Sequence, residues 1–180
     1  MGHAFAFLRG INLGGHNVKK DQLITIYESL GLTGVATFIA SGNVVFDKPS
    51  GSVAALEKQA EDAFRAALGY EAATFIRTPA QLKAIVKQRP FDGRGPETGG
   101  TLHVSFLKRN AKPAEVAAVR AFEDDINEFH FHGTTLYWHT HTARMSDSGV
   151  DATKLQKAIG QPHTARSIKT ILNVIEKWPT

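Results

Sequence analysis

The hydrophobic pattern of the first 77 residues constrains the fold most, because its period alternates between strand and helix in one definite order. Four segments have the two-residue alternation or the β-branched and aromatic composition of strands: residues 3–8, 35–40, 44–46 and 73–77. Two segments have apolar residues at helical spacing followed by a glycine stop: residues 20–30 and 53–68. A two-residue turn at Gly42-Asn43 is expected between the middle strands. This β-α-β-β-α-β order is the split βαβ pattern of ferredoxin-like domains.

The second half of the chain shows the same order of elements. A third helix begins at Pro79, where Thr78 and Gln81 have capping-box spacing, and Pro90 ends it. After the glycine-rich loop 91–100 the pattern predicts further strands and helices: strands 102–107, 127–132, 135–140 and 163–166, and helices 113–122, 152–159 and 168–175. We therefore predict an α+β protein with two ferredoxin-like subdomains, residues 1–90 and 91–180, and an extra C-terminal helix.

The composition is that of an ordinary globular protein and excludes several kinds of site. The 180 residues include no cysteine, which excludes disulfides, thiolate zinc sites and cysteine nucleophiles. A basic-then-apolar leader is missing and no apolar run approaches about 18 residues, so we expect a cytoplasmic protein without membrane contact. The net charge is +4, and the lysines and arginines are not clustered into a stripe. This pattern disfavours nucleic acid as a partner. The oligomeric state is left open.

Two glycine-containing segments form the best candidate site. The first, LRGINLGG at residues 8–15, leaves the opening strand and enters the first helix, and the second, Ser-Gly-Asn at residues 41–43, joins the second and third strands. In a βαββαβ unit these two connections lie at the same edge of the sheet. The ligand-binding residues that we predict are Arg9, Gly10, Asn12, Gly14, Gly15, Ser41, Gly42 and Asn43, with Arg166 reaching in from the second half.

The hydrogen-bond donors at this edge suit a small anionic or phosphorylated ligand. Arg9 offers a positive charge, and the amides of a glycine loop at a helix N-terminus also favour anions. In the alternative interpretation the glycines only turn the chain, and Asn12 and Ser41 hold the loop to the hairpin. Neither a P-loop nor a dinucleotide fingerprint is present, so no cofactor is assigned. Ser41 lies in no Gly-x-Ser-x-Gly elbow, so no catalytic residue is assigned and it stays open whether the protein is an enzyme.

The same two segments carry a family resemblance. LRGINLGG at 8–15 and SGNVVF at 41–46 resemble the signature motifs of a widespread bacterial family of unknown function, described by its LRGIN(V)GG opening. Near the C-terminus that family carries a Thr-x-Arg-Asn-Trp-x-Thr-like segment. Three residues of this chain match it and two depart from it: Thr164, Arg166 and Thr170 match, whereas Ser167 and Ile168 replace the Asn and Trp. The resemblance implies two ferredoxin-like halves and no established activity.

A histidine-rich hairpin in the second half is the basis of one alternative function. If Gly133-Thr134 is a two-residue turn, four histidines share one face of the hairpin: His130, His132, His139 and His141. A metal ion between His130 and His139, roughly 7–8 Å apart, would need a carboxylate such as Glu128. We favour a polar sheet face that is solvated or lies between the subdomains, assign no metal ligand, and keep a metal-binding protein as an alternative.

A non-catalytic module that binds nucleic acid or protein through an open sheet face is the other alternative. Ferredoxin-like sheets bind RNA through exposed aromatic residues on their central strands, and Phe5, Phe7 and Phe46 are candidates for that role. Residues 43–46 lack the basic and aromatic pattern of the RNA-binding octamer. We therefore expect the three aromatic side chains to pack in the core against the two helices.

Overall fold

The computed structural model describes residues 2–12, 17–39, 42–92, 94 and 99–179, and the structural statements below concern those residues. The chain divides into two compact units, one of Met1–Lys83 with Ile175–Thr180 and the other of Ala84–Val174. The sequence-based boundary at residues 90/91 stays a prediction. No helix in the described ranges combines the length and the apolar character needed to cross a bilayer.

The first unit is built on a four-stranded antiparallel sheet. Its elements follow in the order β1 (His3–Leu8), α1 (Lys20–Glu28), β2 (Ala36–Thr37), β3 (Asn43–Asp47), α2 (Val53–Leu68) and β4 (Thr74–Arg77). The strands lie in the order β2-β3-β1-β4, and each neighbouring pair is antiparallel. The predicted sequence of elements is confirmed for this unit. Helix α3 (Pro79–Gln88) follows β4.

The second unit contains a second four-stranded antiparallel sheet. Its elements are β5 (Thr101–Leu107), α4 (Pro113–Arg120), β6 (Asn127–His132), β7 (Thr135–Thr140), α5 (Ala152–Ile159) and β8 (His163–Ser167), with α6 (Ile168–Lys177) after them. The strand order is β6-β7-β5-β8. A short 3₁₀ turn, Met145–Ser148, precedes α5 and was not predicted. The mixed α+β architecture is thus confirmed in both halves of the chain.

Local capping signals place the helices where the sequence predicts them. Thr78 and Gln81 form a reciprocal capping box, in which the Thr78 N–H donates to Gln81 Oε1 at 2.9 Å and the Gln81 N–H donates to Thr78 Oγ1 at 3.3 Å. Ser52 caps α2 by accepting from the Ala55 N–H. Asp151 caps α5 by accepting from the Thr153 and Lys154 N–H groups, at 2.9 and 3.0 Å.

The aromatic residues of the first sheet lie on both of its faces. Phe46 lies on the helix-facing side, stacked on Tyr27 with ring centroids 5.5 Å apart. Phe5 lies on the opposite face, where it contacts Phe38 and Trp178 at centroid distances of 6.1 Å. The expectation that all three phenylalanines pack against α1 and α2 is therefore wrong for Phe5 and Phe7. Alternation along β1 gives the helix-facing positions to Ala4, Ala6 and Leu8 instead.

The connection between β2 and β3 also differs from the prediction. Strand β2 covers only Ala36–Thr37, because Ile39 has a positive φ of 58° and leaves the extended conformation. Asn43 is the first residue of β3, paired with Phe7, so it is not part of a two-residue turn with Gly42. The Phe38 N–H donates to the Asn43 carbonyl at 3.2 Å, which makes the connection wider than Gly-Asn alone.

Two glutamates of α2 cover the outer edge of β4. Strand β4 is an edge strand with β1 as its sheet neighbour, so alternate amides point away from the sheet. The Ile76 N–H donates to Glu57 Oε1 at 2.7 Å, and the Thr74 N–H donates to Glu61 Oε1 at 2.9 Å. Residues four apart on a helix lie on one face, which lets both carboxylates reach the strand. Exposed edges of this kind otherwise invite pairing with other chains.

Candidate functional site

The end of β1 and the start of β3 meet at one edge of the first sheet. The Leu8 N–H donates to the Gly42 carbonyl at 2.7 Å, directly beyond the Phe7–Asn43 pair. On the other side of β1, the Arg9 N–H donates to the Ala73 carbonyl at 2.9 Å. The two glycine-containing segments are therefore spatial neighbours among the described residues.

The loop that leaves β1 is held by side-chain hydrogen bonds. Gly10 has a φ of +66°, which reverses the chain direction where a side chain would be strained. Asn12 Oδ1 accepts from the Val18 N–H at 2.8 Å, so this side chain closes the loop. The Tyr70 hydroxyl donates to the Ile11 carbonyl at 2.8 Å. The Asn12–Val18 bond holds the residues just before α1 close to the end of β1, and the Tyr70 bond holds the loop to the segment after α2.

The other residues predicted for this site differ in where they lie. Asn43 is buried, and its side-chain amide donates to the Phe38 carbonyl at 3.4 Å, which stabilises the hairpin. Gly14, Gly15 and Ser41 lie outside the described residues. Arg166 lies on β8 in the second unit.

The guanidinium of Arg166 donates hydrogen bonds to neighbouring residues of the second unit. Its Nη1 donates to Thr164 Oγ1 at 2.7 Å and to the Ala165 carbonyl at 2.8 Å. Burial lowers the pKa of Arg166 to about 10, because the charged form is less well solvated. The side chain stays positively charged at neutral pH.

Two lysines at the start of α1 were not predicted as part of the site. Lys19 and Lys20 are exposed and lie next to Val18, which Asn12 holds. The Lys19 N–H donates to Gln22 Oε1 at 2.9 Å, and Asp21 is the acidic residue of the first turn. The spacing of a glutamine three residues after position 19 is the signal that could have located this helix start.

A cavity of about 320 Å³ lies at the other end of the first sheet. Ala4 at the start of β1 lines it, as do Lys48 after β3 and the segment Ser50–Ser52 before α2. No sequence motif indicated this cavity, because its walls come from four separate parts of the chain. It provides a second location in the same unit against which the predicted edge can be tested.

The histidine-rich hairpin has the predicted register. His130 pairs with Tyr137 and His132 pairs with Thr135, on either side of the turn at Gly133. Desolvation by burial lowers the pKa of His130, and the neighbouring charges of His132 and Arg120 lower it further.

Only part of the histidine face converges. Among the described residues, Glu128, His139 and His141 place one ligand atom each within 4.8 Å of the others. His130 and His132 are not members of that group.

Comparison with known proteins places the chain in a family. Residues 1–137 match the family model described as protein of unknown function (DUF1697). The chain belongs to the DUF1697 family. No curated protein matches it. A solved structure, that of the conserved bacterial protein SP0830 from Streptococcus pneumoniae, is similar with 20% identity, 97% coverage of both chains and a TM-score of 0.73. At this identity the similarity shows a shared fold only.

The DUF1697 match covers only one of the two parts of the predicted site. Its range includes the edge formed by Arg9, Gly10 and Gly42, and it ends before Arg166. The expectation of a family without an assigned function is confirmed. The match also ends within the histidine hairpin, before His139 and His141.

Proposed function

We propose that this DUF1697 protein binds a small anionic or phosphorylated ligand at the edge formed by residues 9–15 and 41–43. The observation that supports the proposal is the 2.7 Å hydrogen bond from the Leu8 N–H to the Gly42 carbonyl, which joins the two motif segments.

We also infer that both units are ferredoxin-like, which their strand orders and antiparallel pairing support. In that fold the two segments occupy one edge by topology.

The local charge favours an anion at this edge. Arg9 follows β1, and Lys19 and Lys20 lie at the start of the helix that the loop enters, whose first turn contains the acidic residue Asp21. A guanidinium makes strong, charge-assisted hydrogen bonds to phosphate oxygens. The first amides of α1 add donors and the positive end of the helix dipole. Arg9 is the counter-charge in this proposal, and the loop amides are the donors.

A thermal-shift titration with inorganic phosphate, sulfate and adenosine monophosphate tests the proposal. At a ligand concentration of about 100 times Kd, binding to the folded state adds about 2.7 kcal/mol. For a chain of this size we expect Tm to rise by roughly 5–10 °C. Ionic strength is matched with sodium chloride, so that general screening does not produce the shift.

Two cationic residues at opposite ends of the sheet provide the matched variants. Arg9→Ala is expected to abolish the ligand-dependent shift, whereas Lys48→Ala, which removes a cation at the 320 Å³ cavity, is expected to keep it. The reverse pattern would move the site to the cavity and contradict the proposal. An absence of any shift across the anions would also contradict it. Tight oligonucleotide binding that weakens steeply with salt would instead support the nucleic-acid alternative.

A further inference from the structure

The second unit contains a cluster of possible metal ligands that is independent of the anion site. We propose that Glu128, His139 and His141, here called the histidine cluster, bind one Zn²⁺ ion. Glu128 on β6 pairs directly with His139 on β7, and His141 follows two residues later. Cross-strand partners and residues two apart share one face of a sheet, so the three side chains point to the same side.

Two of the three distances between ligand atoms in the histidine cluster are close to those around a coordinated ion, and all three atoms lie within 4.8 Å of one another. Glu128 Oε2 lies 3.2 Å from His139 Nδ1 and 3.7 Å from His141 Nε2. Zn²⁺ holds such atoms at about 2.0–2.2 Å, so two ligand atoms on one ion are roughly 3.0–3.6 Å apart. One oxygen of Glu128 therefore already lies at about the ligand–ligand spacing from both imidazoles. Three protein ligands leave the fourth position of a tetrahedral site for water.

The surroundings of the cluster fix two of the ligands in place. Arg94 Nη2 donates to Glu128 Oε1 at 2.5 Å, which directs the other carboxylate oxygen toward the histidines. His139 Nε2 lies 3.5 Å from the Gly99 carbonyl. If Nδ1 binds the ion, the proton stays on Nε2 and can be donated to that carbonyl. A second-shell acceptor of this kind is typical of histidines that bind metals.

Burial differs between the two histidines in a way that suits reversible binding. His139 is 1% exposed and His141 is 44% exposed as side chains. The ring of Phe91, whose centroid lies 5.8 Å from that of His139, and the backbone at Gly100 border the buried imidazole. His139 is thus a rigid ligand, and His141 provides the open side through which an ion enters.

Zinc is favoured over harder cations by the chemistry of the ligands. Two imidazoles with one carboxylate suit zinc and its transition-metal neighbours, whereas magnesium and calcium prefer sites made of oxygen atoms. Arg94 shares the carboxylate with the ion, and its positive charge opposes binding of a dication. Because this charge weakens binding of the ion, we expect that all three ligands are needed and that losing any one of them lowers the affinity for zinc.

Isothermal titration with zinc chloride tests this site on the full-length chain, purified without a polyhistidine tag and freed of metal with a chelator. We expect one Zn²⁺ per chain, with Kd weakened at least about tenfold in His141→Ala and in Glu128→Gln. His132→Ala removes a histidine from the same hairpin outside the cluster and is expected to leave Kd unchanged. Circular dichroism of each variant confirms that the fold is kept. Because His141 is exposed, His141→Ala keeps the test valid if a change at His139 prevents folding.

Three results would overturn the zinc proposal. The first is no saturable zinc binding by the unaltered chain. The second is an equal loss in His132→Ala and His141→Ala, which would show general binding to surface histidines. The third is several weak equivalents that none of the variants changes. Binding of Co²⁺ provides an independent readout, because a tetrahedral site with nitrogen ligands has a visible absorption band that His141→Ala is expected to remove. None of these outcomes depends on phosphate binding in the other unit.

Discussion

Replacing Gly100 by alanine tests how the backbone approaches the histidine cluster. A Cβ atom at this position would lie 2.3 Å from the Thr140 carbonyl oxygen, 3.1 Å from His141 Cα and 3.2 Å from His139 Nε2. The φ of Gly100 is +84°, a conformation that costs a side-chain-bearing residue about 1–2 kcal/mol. The contact with backbone atoms cannot be relieved by a side-chain rotation, and overpacking of this kind costs about 1–3 kcal/mol. We therefore expect Gly100→Ala to lower the free energy of unfolding by about 2–5 kcal/mol.

The neighbouring glycine gives a matched control. Gly99 has a φ of +92°, and a Cβ there would meet no atom of the described residues within 4 Å. Gly99→Ala should therefore show only the backbone cost of about 1–2 kcal/mol. The difference between the two variants isolates the steric contact at Gly100, which we expect to be about 1–3 kcal/mol.

Urea unfolding followed by tryptophan fluorescence measures that difference in the second unit. The chain has two tryptophans, Trp138 on β7 and Trp178 near the C-terminus. In a Trp178→Phe background the signal reports the second unit alone, and linear extrapolation gives the free energy of unfolding. If Gly100→Ala and Gly99→Ala differ by less than about 0.5 kcal/mol, the close approach at Gly100 is refuted.

Two further predictions concern ion pairs outside the candidate sites. Glu57→Ala removes the acceptor of the Ile76 N–H and the carboxylate 3.6 Å from the buried Arg77, so we expect urea unfolding to show a loss of about 3 kcal/mol; a loss below about 1 kcal/mol would contradict this role of the glutamate. Hydrogen bonds from Arg109, and then from the Lys112 amide, lower the pKa of Glu115 to about 2. The stabilisation is therefore complete above the usual pKa of about 4.5 and is lost as the pH falls toward 2. Acid unfolding of Glu115→Gln should lack this contribution, and an unaltered acid transition would rule it out.

Local signals made most of the elements predictable. Capping residues such as Ser52, Thr78 and Asp151 act within three residues of the helix they begin, so the sequence contains the whole interaction. The register of the second hairpin follows likewise from its two-residue turn at Gly133. The meeting of β1 with Gly42 followed from topology, since β1 and β3 are neighbours in this order of elements.

Contacts between distant residues could not be predicted in the same way. Arg94 and Glu128 are 34 positions apart, and their contact depends on the path of a glycine-rich loop that periodicity does not describe. The role of Glu57 at β4 needs both the face of α2 and the edge position of the strand. Asn43 was misplaced because glycine and asparagine are common turn residues, whereas here pairing with Phe7 extends the strand by one position. The prediction for Phe5 and Phe7 failed for a different reason, since both faces of the sheet hold aromatic residues.

Nuclear magnetic resonance of the ¹⁵N-labelled chain during a titration with inorganic phosphate tests the central claim most directly. If the edge of the first sheet binds an anion, the amides of Gly10 and Gly42 should show saturable shifts that Arg9→Ala removes. The affinity from these shifts should agree with that from the thermal titration. Larger saturable shifts at Gly51 and Ser52, beside the cavity at the other end of the sheet, would contradict the claim. Amides that do not respond at either end would contradict it equally.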